Sequence, residues 1–119
     1  MNNSNITELS SQFMGFIQSS FTKFFLINGD IIEDKMTFLK EFSDKLKFPG
    51  YFGFNWDAFD ECITDLSWHD LDKGFLIIYK NPHNFRTKKP DEWKIANDIL
   101  FDAMHYWDNE KTPMILIFL

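Results

Sequence analysis

The order of apolar and polar residues predicts three short strands. Residues 75–79 and 114–119 are continuous apolar runs, which are typical of strands buried on both faces. A shorter run, residues 24–27, ends at Asn28-Gly29, a turn signal. We therefore expect a first strand near residue 24 and two fully buried strands in the middle and at the end of the chain.

Apolar residues at helical spacing predict helices between these strands. The first helix begins after Asp34 and ends at Pro49-Gly50. A second helix reaches to about residue 67, and Asn55 stands at its N-cap position. Pro90 is in a good position to open a third helix, which runs through Met104. Residues 80–90 are interpreted as a polar connection. The stripe of the first helix consists of Phe38, Leu39, Phe42 and Leu46.

The resulting order is strand, helix, helix, strand, helix, strand. Short apolar strands that alternate with helices favour a small parallel sheet. The predicted fold is therefore an α/β domain with a three-stranded parallel sheet over residues 23–119. We expect residues 1–22 to form a separate N-terminal extension, a helix or a partly ordered arm. Their apolar positions fit one helical stripe, which Gly15 weakens: Ile6, Leu9, Phe13, Phe16 and Ile17.

Composition restricts the class of protein. A chain of 119 residues, 45% of them hydrophobic, fits one domain with one core. The single cysteine, Cys62, favours a reducing compartment. The N-terminus lacks the pattern of a signal peptide, and no apolar stretch approaches the length of a membrane span. We therefore expect a cytoplasmic protein without a membrane segment.

The net charge of −6 is concentrated in one stretch, residues 54–72, which contains six acids and neither Lys nor Arg. A local negative field repels phosphate backbones and attracts basic partners. The sequence therefore disfavours nucleic-acid binding and predicts a basic protein partner. The acids are Asp57, Asp60, Glu61, Asp65, Asp70 and Asp72.

The second predicted helix separates apolar from polar residues. Its buried face consists of Phe59, Cys62, Ile63 and Leu66. Its exposed face consists of Asp57, Asp60, Glu61, Thr64 and Asp65. Like charges four residues apart repel by a few tenths of a kcal/mol, so this exposed face is unfavourable for folding alone. The second helix follows an aromatic loop, residues 51–54. Carboxylates beside aromatic anchors are typical of protein interfaces.

The segment Phe48-Pro49-Gly50-Tyr51-Phe52-Gly53-Phe54-Asn55-Trp56-Asp57-Ala58-Phe59-Asp60-Glu61 resembles the signature of the barstar family of ribonuclease inhibitors. Residues 26–32 resemble the first strand and turn of that family, and the likeness covers about residues 24–119. It implies an intracellular, bacterial immunity protein that blocks the active site of a ribonuclease or ribonuclease-like toxin, as a monomer or in a 1:1 complex.

The resemblance assigns partner-binding positions one by one. Tyr51 and Asn55 match loop contacts, Asp57 matches the first key acid, and Thr64 matches a further contact. Glu61 stands where the most important acid of the family is an Asp. Two departures, Asp60 at an aromatic position and Asp65 at a Gly position, make the surface more acidic. Phe52 and Trp56 complete the candidate surface, and a contact on the last helix falls on Asp102, His105 or Asp108.

Other chemistry has weaker support. His69, His83 and His105 are scattered without the spacing of metal ligands, and no Gly-rich phosphate loop occurs. We expect no cofactor, no metal and no enzymatic activity. Two alternatives remain: the acidic face could be a general interaction module for a basic partner that is not a nuclease, or Asp57 and Glu61 could form an acid/base pair of an enzyme.

Overall fold

A three-stranded parallel sheet forms the centre of the molecule. The computed structural model describes residues 11–21 and 23–119. Strands β1 (Lys23–Asn28), β2 (Phe75–Lys80) and β3 (Met114–Phe118) lie in the order β1-β2-β3. β2 is central, and Ile77 pairs with Phe25 on one side and with Leu116 on the other. The predicted α/β class and the parallel sheet are confirmed.

Helices connect the strands at the positions that the apolar stripes predicted, with one addition. The described helices are α1 (Ser11–Ser20), α2 (Lys35–Leu46), α3 (Trp56–Ile63), α4 (His83–Lys88) and α5 (Pro90–Asn109). Asp34 caps α2, because its side chain accepts a hydrogen bond from the amide of Thr37 and the Thr37 hydroxyl accepts one from the amide of Asp34. Pro90 opens α5 as expected.

The main core lies between one face of the sheet and helices α2 to α5. Its sheet residues alternate along the strands, with Phe25 and Ile27 on β1 and Phe75, Ile77 and Tyr79 on β2. The many phenylalanines of the chain fill this space. The ring centre of Phe38 lies 5.2 Å from that of Phe59 and 5.6 Å from that of Phe85.

The opposite face of the sheet is also apolar. Leu76 and Ile78 of β2 are buried there, and Phe21 packs against them from the segment that precedes β1. Phe24 and Leu26 of β1 and Ile117 of β3 pack beside them and are half-buried. The helix α1 lies in the region predicted as an N-terminal extension, and the apolar positions Ile6 and Leu9 of the predicted stripe fall outside the described residues.

The prediction that both long apolar runs are fully buried is correct for β2 and wrong for β3. Only Met114 of β3 is buried, and Ile115 is 40% exposed. The reason is the strand order, because β3 is an edge strand with a single neighbour. An apolar run cannot by itself tell a central strand from an edge strand.

The prediction that residues 80–90 form only a polar connection is also wrong. The short helix α4 forms there and buries Phe85. The ring of Phe85 lies between those of Phe38 and Trp93, with a centre-to-centre distance of 5.9 Å to Trp93. One apolar side chain in six helical residues is too weak a pattern for prediction, and tertiary packing stabilises this helix.

Within the described residues, no helix combines the length and the apolar character that crossing a membrane requires.

Candidate functional site

The helix α3 begins at a side-chain cap. Asn55 has an extended backbone, and its side-chain oxygen accepts a hydrogen bond from the amide of Ala58 at 2.8 Å. The side-chain nitrogen of Asn55 donates to the carbonyl of Gly53 at 3.4 Å. Asn55 was predicted both as an N-cap and as a partner contact, and the capping role is confirmed. Its cap fixes the angle at which loop 50–55 enters the helix.

The buried face of α3 was predicted correctly. Phe59, Cys62 and Ile63 are buried, and Leu66 is buried just beyond the helix. The ring of Phe59 packs on Phe42 with a centre-to-centre distance of 5.3 Å. This anchored face fixes which side of the helix points outward.

The outward side of α3 carries carboxylates that form no salt bridge among the described residues. Asp57, Asp60 and Glu61 on α3 are exposed, and so is Asp65 just after the helix. None of them takes part in the salt bridges that the described residues form, which join other acids to Lys40, Lys45, Lys80, Lys88 and Lys94. The result is a negative surface that no salt bridge within residues 11–21 and 23–119 neutralises, and such a surface favours approach of a positively charged partner.

The predicted end of this helix near residue 67 is wrong, because α3 ends at Ile63. The amides of Asp65 and Leu66 both donate to the carbonyl of Cys62, and Leu66 takes a left-handed backbone with φ of 49°. This turn buries Leu66 and lets the Trp68 indole donate to the carbonyl of Leu46 at 2.9 Å. Asp65 therefore lies on a tight turn after the helix rather than on the helix itself.

Thr64, the C-cap of α3, is half-buried and hydrogen-bonded within the helix. Its hydroxyl donates to the carbonyl of Asp60 at 2.8 Å. The side chain is thus already engaged with the backbone one turn earlier.

The aromatic residues of the site divide into an exposed and a buried group. Tyr51 is 79% exposed, whereas Phe52 is 6% exposed. Phe52 packs between Phe48 and Phe54, with ring centres 5.0 Å and 4.8 Å away. Tyr51 is therefore exposed beside the carboxylates, as expected. Phe52 is not, because its ring is buried and packs inside the loop.

Trp56 is half-buried at the first position of α3. Its ring lies 5.8 Å from that of Phe38, and the ammonium of Lys35 lies 5.7 Å from the indole centre. The indole is therefore partly in the core and partly at the edge of the acidic surface.

A small cavity separates loop 50–55 from α3. Its volume is about 240 Å³, and it is lined by Tyr51, Phe52, Ala58, Glu61, Cys62 and Asp65. Burial raises the pKa of the Cys62 thiol, and the charges of Asp65 and Glu61 raise it further. We call this cavity the notch. The sequence did not indicate the contribution of Ala58 and Cys62, although their helical spacing with Glu61 and Asp65 was visible.

None of the candidates on the last helix lines the notch. His105 and Asp108 line a cavity of about 300 Å³ beside Met114 and Ile115 of the edge strand. Asp102 is exposed and lines neither cavity. His105 and Asp108 therefore line a different cavity from the one between loop 50–55 and α3.

Two of the histidines considered as candidates for chemistry, His69 and His83, contact other residues of the fold. One ring nitrogen of His69 lies 2.5 Å from the carbonyl of Leu46, and His83 contacts Arg86 and Thr87 of its own helix. No group of three or more potential metal ligands occurs among residues 11–21 and 23–119.

The fold and the site together define a small α/β protein with an uncompensated acidic helix beside an exposed tyrosine. The family model described as Barstar (barnase inhibitor) matches residues 22–118. The chain belongs to the Barstar family, whose members are inhibitors rather than enzymes and bind ribonucleases such as barnase. The comparison with curated proteins found no match.

Proposed function

We propose that this protein is an immunity protein that blocks the active site of a basic ribonuclease or ribonuclease-like toxin inside the producing cell. The contact surface is α3 with loop 50–55, and the complex has 1:1 stoichiometry. The observation that carries the proposal is the row of exposed acids on α3, which no Lys or Arg of the described residues neutralises.

The chemistry of a ribonuclease active site explains why carboxylates suit this role. Such a site binds the phosphates of RNA with basic side chains, and a carboxylate placed there forms charge-assisted hydrogen bonds with the same groups. Asp57 and Glu61 lie one helical turn apart on the outward side of α3, so both can enter one concave basic site. They are the proposed energetic centre.

The neighbouring residues have supporting roles in this proposal. Tyr51 provides an exposed aromatic anchor beside the acids. Asn55 holds the loop by capping α3, and Phe52 holds it by packing against Phe48 and Phe54. Asp60, Thr64 and Asp65 extend the polar surface along the helix and past its end, and Trp56 borders it at the start of α3.

The proposal is tested by capture followed by an RNA cleavage assay. The immobilised protein is exposed to lysate of the producing cell, with an Asp57→Asn/Glu61→Gln variant as the matched control. We expect the wild-type protein alone to retain a basic protein that cleaves RNA, and one equivalent of inhibitor to stop the cleavage. A captured protein without nuclease activity, or cleavage that continues at saturation, would contradict the proposal and favour a general interaction module.

A further inference from the structure

The lining of the notch is partly apolar, which a binding surface made of carboxylates alone would not require. Its floor is apolar, formed by Phe52, Ala58 and Cys62, and its rim carries the carboxylates of Glu61 and Asp65. The volume of about 240 Å³ is below the roughly 300 Å³ at which small-molecule sites begin. A cavity of this size suits a single side chain of a bound protein.

The walls of the notch are fixed before any partner binds. Phe52 is held by two ring contacts, and Cys62 lies on the buried face of α3. Asp65 follows the helix, but the hydrogen bonds from the Asp65 and Leu66 amides to the Cys62 carbonyl, together with the burial of Leu66, fix the turn. Little conformational entropy is therefore lost when the notch is filled.

The thiol of Cys62 is a second, independent observation. The side chain is 6% exposed, lines the notch and has no hydrogen-bond partner among the described residues. Burial raises the pKa of this thiol, and the charges of Asp65 and Glu61 raise it further. The notch therefore combines a buried thiol in an apolar floor with two carboxylates that form no salt bridge among the described residues.

We propose that the notch receives one arginine or lysine side chain of the partner, and that Asp65 is the residue that selects it. The apolar stem lies on Phe52 and Ala58, and the cationic head lies between Glu61 and Asp65. Long basic side chains pack their stems on apolar surface while their charge stays at a polar rim. A guanidinium offers several donors and can bind two carboxylates at once.

This inference rests on the proposed function for the identity of the partner, but the cation preference of the notch can be measured without one. Cys62 is the only cysteine of the chain, so it reports on the notch alone. Its modification rate is measured with two methanethiosulfonate reagents of similar size, one carrying an ammonium and one a sulfonate. In both cases the thiolate forms a disulfide with the reagent and releases methanesulfinate.

We expect the cationic reagent to react about tenfold faster than the anionic one in the wild-type protein. Asp65→Asn should reduce this ratio severalfold. Asp60→Asn removes one charge from α3 without touching the notch, and it should leave the ratio nearly unchanged. Equal ratios for the Asp65→Asn and Asp60→Asn variants would overturn the proposal.

Inhibition of the captured nuclease by variants of the protein then distinguishes the notch proposal from the proposed function. If Asp65→Asn weakens inhibition at least tenfold and the Asp72→Asn control does not, the notch contacts the partner. If Asp65→Asn inhibits as well as wild type while Asp57→Asn/Glu61→Gln does not, the notch proposal fails and the proposed function stands. If no nuclease is inhibited but the cation preference of Cys62 depends on Asp65, the notch binds a cation and the proposed function fails.

Discussion

The indole nitrogen of Trp107 donates a hydrogen bond to the carbonyl oxygen of Ile63 at 2.8 Å. This bond joins the last turns of α5 to the last residue of α3, so the longest helix fixes the end of the acidic helix. The Ile63 carbonyl is one of the helix-end acceptors that lack a partner within their own helix. The position of the turn that carries Asp65 thus depends on a contact 44 residues away in sequence.

Trp107→Phe tests this connection. The substitution removes the donor and leaves a buried carbonyl without its partner, which should lower the free energy of unfolding by about 1–3 kcal/mol. Urea denaturation of the variant measures the loss. Tyr106→Phe is the matched control, because it changes the neighbouring exposed aromatic residue and should have little effect. Equal stability of the two variants would show that the Trp107 bond is unimportant.

Asn55 can act as a helix cap, as a partner contact or as both. Asn55→Ala removes the side-chain acceptor for the Ala58 amide and should cost about 1 kcal/mol of stability. Asn55→Asp keeps a good N-cap but replaces the amide donor with a carboxylate. If Asn55 acts only as a cap, the Asp variant retains both stability and inhibition. Full stability with weakened inhibition would show that the amide contacts the partner.

Asp34 makes part of the stability dependent on pH. Hydrogen bonds from the Thr37 amide and hydroxyl hold the pKa of Asp34 below its usual value, against a smaller opposing effect of burial. Because the folded pKa is depressed, this contribution is fully present above the unfolded value of about 3.9 and is lost as pH falls through the folded pKa. Asp34→Asn keeps a capping side chain that does not titrate.

Urea midpoints between about pH 6 and about pH 2 measure this contribution. We expect the Asp34→Asn variant to lose less stability in acid than the wild-type protein. Other carboxylates still titrate, so the difference between the two curves is the relevant quantity. Parallel curves over the whole range would contradict the assignment to Asp34.

The uncompensated charge of α3 predicts a strong effect of salt on association. Exposed charges are screened over about 8 Å at physiological ionic strength, so the association rate with a basic nuclease should fall as salt rises. Stopped-flow measurements at several salt concentrations give this slope. Asp57→Asn should flatten it, whereas Glu110→Gln, which removes an exposed acid outside the site, should leave it nearly unchanged. A dissociation rate that carried all of the salt dependence would be inconsistent with steering.

Local patterns were sufficient for much of the fold and part of the site. Asn55 and Asp34 were recognisable as caps from residue type and spacing, and the buried face of α3 followed from its helical period. The resemblance of residues 48–61 to the barstar signature indicated the family from the order of residues alone.

The features that were predicted wrongly or missed depend on contacts between residues that are distant along the chain. The exposure of β3 depends on strand order, and α4 exists because Phe85 fits between Phe38 and Trp93. Glu41 is a buried acid, paired with Lys45 and with the amide of Asn28, and nothing in its local sequence distinguishes it from a surface acid. The notch likewise requires the loop and the helix to be placed side by side.

The central claim is that Asp57 and Glu61 supply the energy of binding to a nuclease. The most direct measurement compares the dissociation constant of the complex for wild type, Asp57→Asn/Glu61→Gln and the control Asp72→Asn/Glu110→Gln, which has the same change in charge at exposed positions elsewhere. We predict that the first variant binds at least about 100-fold more weakly and no longer stops RNA cleavage, while the control binds within a few fold of wild type. Equal weakening by both variants would contradict the claim, because only total charge would then matter.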